Sequence, residues 1–161
     1  MKRIDFEKVF DSHNIDLIKI DLVGGNVVIL NGLQDEIGIK IQWKKDQPES
    51  LPEISIKDGV LELKSNDWKQ FIGQKNTYII QINLPKNLDL NIKMFAGVIE
   101  LKELDNNIAI SLRAGEVLGS ISLTQNTFIK VLVGSIKLNA KAIYDLAKVN
   151  LKCYLGDIKL T

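Results

Sequence analysis

The chain has 161 residues, of which 45% are hydrophobic and 25% charged, with a formal net charge of +1. One domain of that size buries enough apolar surface to fold without disulfides or metals, and so even a charge balance exerts no overall pull towards nucleic acid or an anionic membrane. The single cysteine, Cys153, excludes an intrachain disulfide, and one histidine with one cysteine falls short of a zinc ligand set.

The first fourteen residues, MKRIDFEKVFDSHN, carry acidic side chains where a signal peptide would be apolar. No stretch reaches the roughly 18 apolar residues of a membrane span. With a lone cysteine, these features predict a cytoplasmic protein. His13 follows Asp11 and Ser12. Three neighbours in a turn-like segment do not make a triad, which needs an exposed nucleophile assembled by the fold, so a structural or solvent role is expected. Ile37, Ile39, Ile41 and Trp43 alternate with polar residues or glycine and predict a half-buried strand. Pro48 and Pro52 flank a loop. Asp58-Gly59 then supplies the two positive-φ residues of a type I′ turn. Pairing across that turn sets Ile56 opposite Leu61 and Ile54 opposite Leu63, so turn and pattern agree. An irregular loop over residues 65 to 76 carries Trp68 and Phe71. Tyr78, Ile80, Ile82 and Leu84 form another alternating strand, closed by Pro85, which cannot donate to a ladder. Helix signal is confined to Ala140–Lys148, enough for a turn or two.

An internal repeat dominates the remainder. Its form is apolar-x-apolar-x-x-Gly-x-apolar-x-apolar. Copies run from Ile92 to Leu101, from Ile129 to Leu138 and from Leu151 to Leu160. A degenerate copy spans Ile110, Leu112, Gly115 and Val117, with an echo from Gly119 to Leu123. An outlying copy uses Ile20, Leu22, Gly25, Val27 and Ile29. Glycines 97, 115, 134 and 156 are spaced 18, 19 and 22 residues apart, which suits one coil of a small β-solenoid. Two short strands with inward apolar residues would flank a corner that glycine fits, and stacked coils would share one core. The expected fold is therefore all-β: a short single-stranded β-solenoid of β-helix or β-roll type over residues 91–161, with antiparallel hairpins over residues 1–90, in a single domain. An antiparallel sandwich with similar hairpins is the alternative.

Together, the Gly24-Gly25-Asn26-Val27 segment, the central hairpins, the Leu84-Pro85 step and the glycine-cornered repeats resemble the putative-adhesin family of bacterial and archaeal β-strand-repeat domains. The resemblance covers residues 15 to 161. It implies a β-solenoid with an antiparallel extension, and it transfers no active residues.

No catalytic constellation, metal-ligand spacing or phosphate-binding loop is present in the sequence, so no enzyme activity and no cofactor are expected. Cys153 stands at an inward repeat position, like Met94 and Val131, and is expected to be buried as a small hydrophobe. Glu116 and Asp157 follow repeat glycines two coils apart, about 10 Å by strand spacing, and read as isolated solvated charges rather than a paired acid site. The second repeat position carries Lys93, Ser111, Lys130 and Lys152, so stacked coils would line three lysines on one outer face, with acids such as Glu100 as an offset. Phe95 and Tyr154 are the only aromatics in the repeats placed to stack on a base, too few for a nucleic-acid platform. The last copy ends at Leu160 without a polar cap. Leu151, Ile158 and Leu160 are thus the expected self-association edge of a homo-oligomer. The alternative partner is an anionic polymer or glycan, bound by Lys93, Lys130 and Lys152 or by the loop carrying Trp68 and Phe71.

Overall fold

The structure, a computed structural model, describes residues 3–44, 51–65, 79–144 and 146–161. It contains ten strands: β1 (Arg3–Asp11), β2 (Leu17–Asn31), β3 (Glu36–Lys44), β4 (Glu53–Lys57), β5 (Val60–Lys64), β6 (Ile79–Leu84), β7 (Asp89–Leu104), β8 (Ile108–Leu123), β9 (Thr127–Ile143) and β10 (Val149–Leu160). They form one sheet in the order β1-β3-β6-β2-β7-β8-β9-β10, with β5 beside β2 and β4 beside β5. The protein is all-β, and the described residues include no helix.

Two kinds of pairing divide the sheet. On one side β1 runs antiparallel to β3, and β3 antiparallel to β6. On the other, β2, β7, β8, β9 and β10 run parallel and in register. Ile20, Ile92, Ile110, Ile129 and Leu151 lie side by side in these five strands, as do Val27, Ile99, Val117, Ile136 and Ile158. The outlying early repeat copy is thus the first strand of the parallel stack, although 62 residues, Leu30 to Asn91, lie between its end at Ile29 and the start of the copy it pairs with at Ile92.

Each of these five strands bends at its repeat glycine. Gly25, Gly97, Gly115, Gly134 and Gly156 share a φ between 132° and 141° and form one column across the stack. The bend flips the alternation: in β7, Ile92 and Met94 are buried before the corner, and Ile99 and Leu101 after it. Both arms therefore turn their apolar residues towards one core. Close approach adds to the backbone constraint. A Cβ on Gly134 would stand 2.8 Å from the carbonyl carbon of Gly115 and closer still to its oxygen. Only hydrogen fits where one corner rests on the next.

The Asp58-Gly59 turn has positive φ at both residues, 51° and 78°, and pairs Ile56 with Leu61 and Ile54 with Leu63 as the sequence predicts. Its second strand, β5, then lies parallel on the first arm of β2. The turn of helix expected over Ala140–Lys148 does not form among the described residues of that span. β9 instead stays paired with β8 through Leu123↔Ile143, and Tyr144 N donates to Leu123 O at 3.1 Å. Ladder bonds along an existing strand outcompete a helix nucleus, which fixes several dihedrals for one bond. Beyond the strand, Ala147 N donates to Tyr144 O at 3.1 Å in a turn.

Candidate interaction surfaces

The first arms of β7–β10 present an outer face opposite the core. Register places Lys93, Ser111, Lys130 and Lys152 in one row, continued on the β2 side by Asp21. Of the sequence-predicted lysines, Lys130 and Lys152 thus stand on adjacent strands, about 4.8 Å apart in the pairing direction, and Lys93 stands one strand further, beyond Ser111. Two residues further along each strand the same face carries Phe95, Arg113, Leu132 and Tyr154. The Arg113 guanidinium lies 5.7 Å from the centroid of the Phe95 ring, and Lys130 Nζ lies 5.3 Å from that of Tyr154. Both rings hold cations by their π faces. Arg113 escaped the sequence reading because it stands in the degenerate copy, where neighbouring copies carry Phe95 and Leu132. Among the described residues Lys93, Arg113, Lys130 and Lys152 make no ion pair. Glu100, expected to offset them, lies beyond the corner in the second arm and pairs with Lys102 at 3.7 Å.

A groove of about 620 Å³ adjoins this row, lined in part by Asn91, Asn107, Asn126, Phe128, Lys148 and Asn150. Its floor is an asparagine ladder that the sequence reading missed. Asn107 Nδ2 donates to Asp89 Oδ1 at 3.0 Å, Asn107 Oδ1 accepts from Asn126 N at 3.0 Å, and Asn126 Oδ1 accepts from Lys148 N at 3.2 Å. Each asparagine side chain ties the start of one strand to the start of the next, satisfying backbone donors at the turns. The available signal was an Asn one residue ahead of two successive repeat strands, at 107 and 126. Asn106 plays a separate part. It is buried, and its Nδ2 lies 2.9, 3.0 and 2.8 Å from the carbonyl oxygens of Pro85, Lys86 and Leu88.

The second arms behave differently. Glu116, Ser135 and Asp157 form one column, but Glu116 is not an isolated charge. It accepts from Lys137 Nζ at 3.1 Å and from Ser135 Oγ at 3.0 Å. Those bonds, Lys137 foremost, hold its carboxyl below the ordinary carboxylate value. A carboxylate so committed is a surface fastener. His13 is clipped by Asp11, whose Oδ1 accepts from the His13 backbone N at 2.9 Å and also contacts the ring Nδ1. Its Nε2 stands 3.8 Å from Asp35. The His13–Asp11 bond, followed by the charges of Asp11 and Asp35, raises the imidazole's pKa above 6.5. The cluster fastens the β1–β2 turn to the β2–β3 turn. Among the described residues no group of three or more His, Cys, Asp or Glu could hold a metal.

Cys153 does stand in register with Val131, and through it with Leu112 and Met94. It is half-buried, against the expectation of full burial, because among the described strands β10 is paired on one side alone. Its Sγ lies 3.4 Å from Gly134 O. The same asymmetry exposes the rest of β10. Ile158 and Leu160 are each 45% exposed, whereas their partners in β9, Ile136 and Leu138, are 0% and 3% exposed. Leu151 is partly buried against the core. Trp68 and Phe71 lie outside the described residues. No helix among the described residues is long and apolar enough to cross a membrane.

No protein-family model matches the chain, and no curated protein matches it. Solved structures do. A structure described as that of a putative cell adhesion protein from Clostridium sporogenes superposes with a TM-score of 0.70 at 15% identity, covering 99% of each chain. The chain has the fold of that protein. The resemblance read from the glycine-cornered repeats is thereby met at the level of architecture. A putative adhesin from Bacteroides fragilis also aligns, over 98% of this chain and 97% of its own, at 16% identity and a TM-score of 0.44.

Proposed function

We propose that this protein is a non-enzymatic, adhesin-like interaction module whose repeats wind into a short β-solenoid and whose last coil joins a second copy. Winding is supported by the register. Ile92 and Ile110 are lateral partners yet stand 18 residues apart, so the chain between them returns to within one strand spacing, about 4.8 Å. Each copy of the repeat then makes one coil, and the antiparallel strands β1, β3 and β6 cover the end nearest β2.

The observation that carries the self-association is the exposure of Ile158 and Leu160 at positions buried in every preceding strand of the stack, bar the glycine at 119. An uncovered edge of this kind offers unpaired backbone groups and apolar side chains together. A second copy fits it by charge as well as by shape. In an antiparallel pairing centred on Ile158, Asp157 of each copy faces Lys159 of the other, so two opposite-charge pairs flank the apolar contact. Light scattering behind size exclusion, over about a hundredfold range of concentration, tests this reading. A dimer that grows with concentration is expected, and Ile158→Lys or Leu160→Lys should return it to a monomer. Leu33→Lys, at an exposed turn far from β10, should leave it unchanged. A wild-type monomer throughout the range would overturn the reading.

A further inference from the structure

We propose that the outer face of the first arms of β7–β10 binds a linear acidic polysaccharide, with its carboxylate or sulfate groups on Lys93, Arg113, Lys130 and Lys152 and its hydroxyls on Asn91 and Asn150. The inference goes beyond the self-association reading and does not depend on it, because all of these residues belong to one copy.

Charge is the first reason. With a formal net charge of only +1 for the whole chain, four cations without ion pairs on neighbouring strands are a local concentration. Stacked like charges repel, and an extended polyanion relieves the repulsion along its whole length. Arg113 can grip a carboxylate or sulfate through two parallel hydrogen bonds, and the lysines act as point charges beside it.

The aromatic rings decide between kinds of polyanion. A single-stranded nucleic acid needs a series of open ring faces on which successive bases stack. Here Arg113 covers a face of Phe95 and Lys130 covers a face of Tyr154, so the exposed Phe128 is one platform rather than a series. Phe95 and Tyr154 position cations, so this part of the face reads charge. The groove supplies what a sugar chain needs in addition. Asn91 and Asn150 stand two residues before Lys93 and Lys152 on the same face, with Phe128 in register between them. Neither carboxamide has a hydrogen-bond partner among the described residues. A carboxamide both donates and accepts, as a hydroxyl does. An exposed phenyl ring beside it offers an apolar face to a pyranose. Amides within about 7 Å of a cation row, two residues along a strand, match a polymer that carries hydroxyls and anionic groups in alternation.

The test uses the full chain and five probes: heparin, polygalacturonate, neutral dextran, an oligo(dT) strand and phosphatidylserine vesicles. Binding of heparin or polygalacturonate, but not dextran, is expected, weakening several-fold between about 50 and about 200 mM salt. The pair Lys93→Glu with Lys130→Glu should cost at least about tenfold in affinity, while Lys57→Glu with Lys86→Glu, of equal charge change, should not. Asn91→Ala with Asn150→Ala should weaken polysaccharide binding several-fold without changing its salt dependence. Ile158→Lys should bind as the wild type does, which separates this site from the β10 edge. No binding at the lower salt would overturn the proposal. So would oligo(dT) or vesicles bound as tightly as the polysaccharides, with the asparagine variants indifferent.

Discussion

At the scale of single residues, several of the side chains that bind the backbone stand at turns, where the backbone leaves the ladder and needs other hydrogen-bond groups. Asn106 gathers three carbonyl groups of the β6–β7 connection, and Asn107 and Asn126 tie successive strand starts together. His13 is the one such group that titrates near neutrality. Its pKa is raised by Asp11 first and Asp35 second, and that of Asp11 is lowered by the same pair. A raised imidazole pKa means that the folded state favours the protonated ring. The stabilisation from His13 is therefore complete below its ordinary value of 6.5 and is lost as pH rises through the folded value. That from Asp11 is present above its ordinary 3.8 and is lost as pH falls through the lowered one. As the only histidine, His13 gives a single imidazole signal by NMR. Its midpoint should lie above 6.5 and move back towards that value in Asp11→Asn. A wild-type midpoint at or below 6.5 would mean that the clip does not persist in solution.

At the scale of elements, the strands and the glycine corners were legible because each rests on a local rule. Period-two alternation marked β3 and β6, positive φ marked the Asp58-Gly59 turn, and a fixed glycine at near-constant spacing marked the corners. Partners were legible only in part. Nothing local in residues 17–31 says that β2 pairs with β7 across some sixty residues, although its copy of the repeat does suggest the same shape. The Asn107 ladder and the Arg113–Phe95 contact depend on that cross-strand register, so they became visible only once neighbours were assigned. The end of β9 misled for a related reason. Ala140–Lys148 has fair helix propensity, but the ladder pairs Ile121 with Ala140 and Leu123 with Ile143, taking its first residues into β9, and tertiary pairing overrides propensity. The corner column yields a sharp prediction. Gly134→Ala must strain a positive φ and push the β8 corner away from β9, for a loss of roughly 2–6 kcal/mol from the two effects together. Urea unfolding should show that loss. Ala114→Gly, next to the corner but outside the column, should cost no more than about 1 kcal/mol. Equal, small losses at both sites would mean that the corners do not touch.

At the scale of the molecule, the two ends of the parallel stack differ. β2 is paired on both sides, by β7 on one and by β5 and β6 on the other, whereas among the described strands β10 has β9 alone. The core runs from Ile15 to Leu138 and thins out at β10, where only Leu151 and Cys153 pack against it. Stability should therefore grade along the stack, since local opening follows the number of buried apolar contacts. Amide hydrogen exchange reads that gradient directly. At low protein concentration the amides of β7 and β8 should exchange only through global unfolding. Those of β10 that point away from β9 should exchange fastest, because no described strand pairs with them. If β10 pairs with a second copy, those outward amides become donors in a new ladder, and raising the concentration should slow them while leaving β7 and β8 unchanged. Ile158→Lys should remove the concentration dependence and keep the gradient. Outward β10 amides that exchange at one rate at all concentrations would place the protein's partner elsewhere, with the cation row of β7–β10 as the remaining surface. A uniform rate from β2 to β10 would contradict the graded stack itself, because no strand paired on one side can be as well protected as one paired on both.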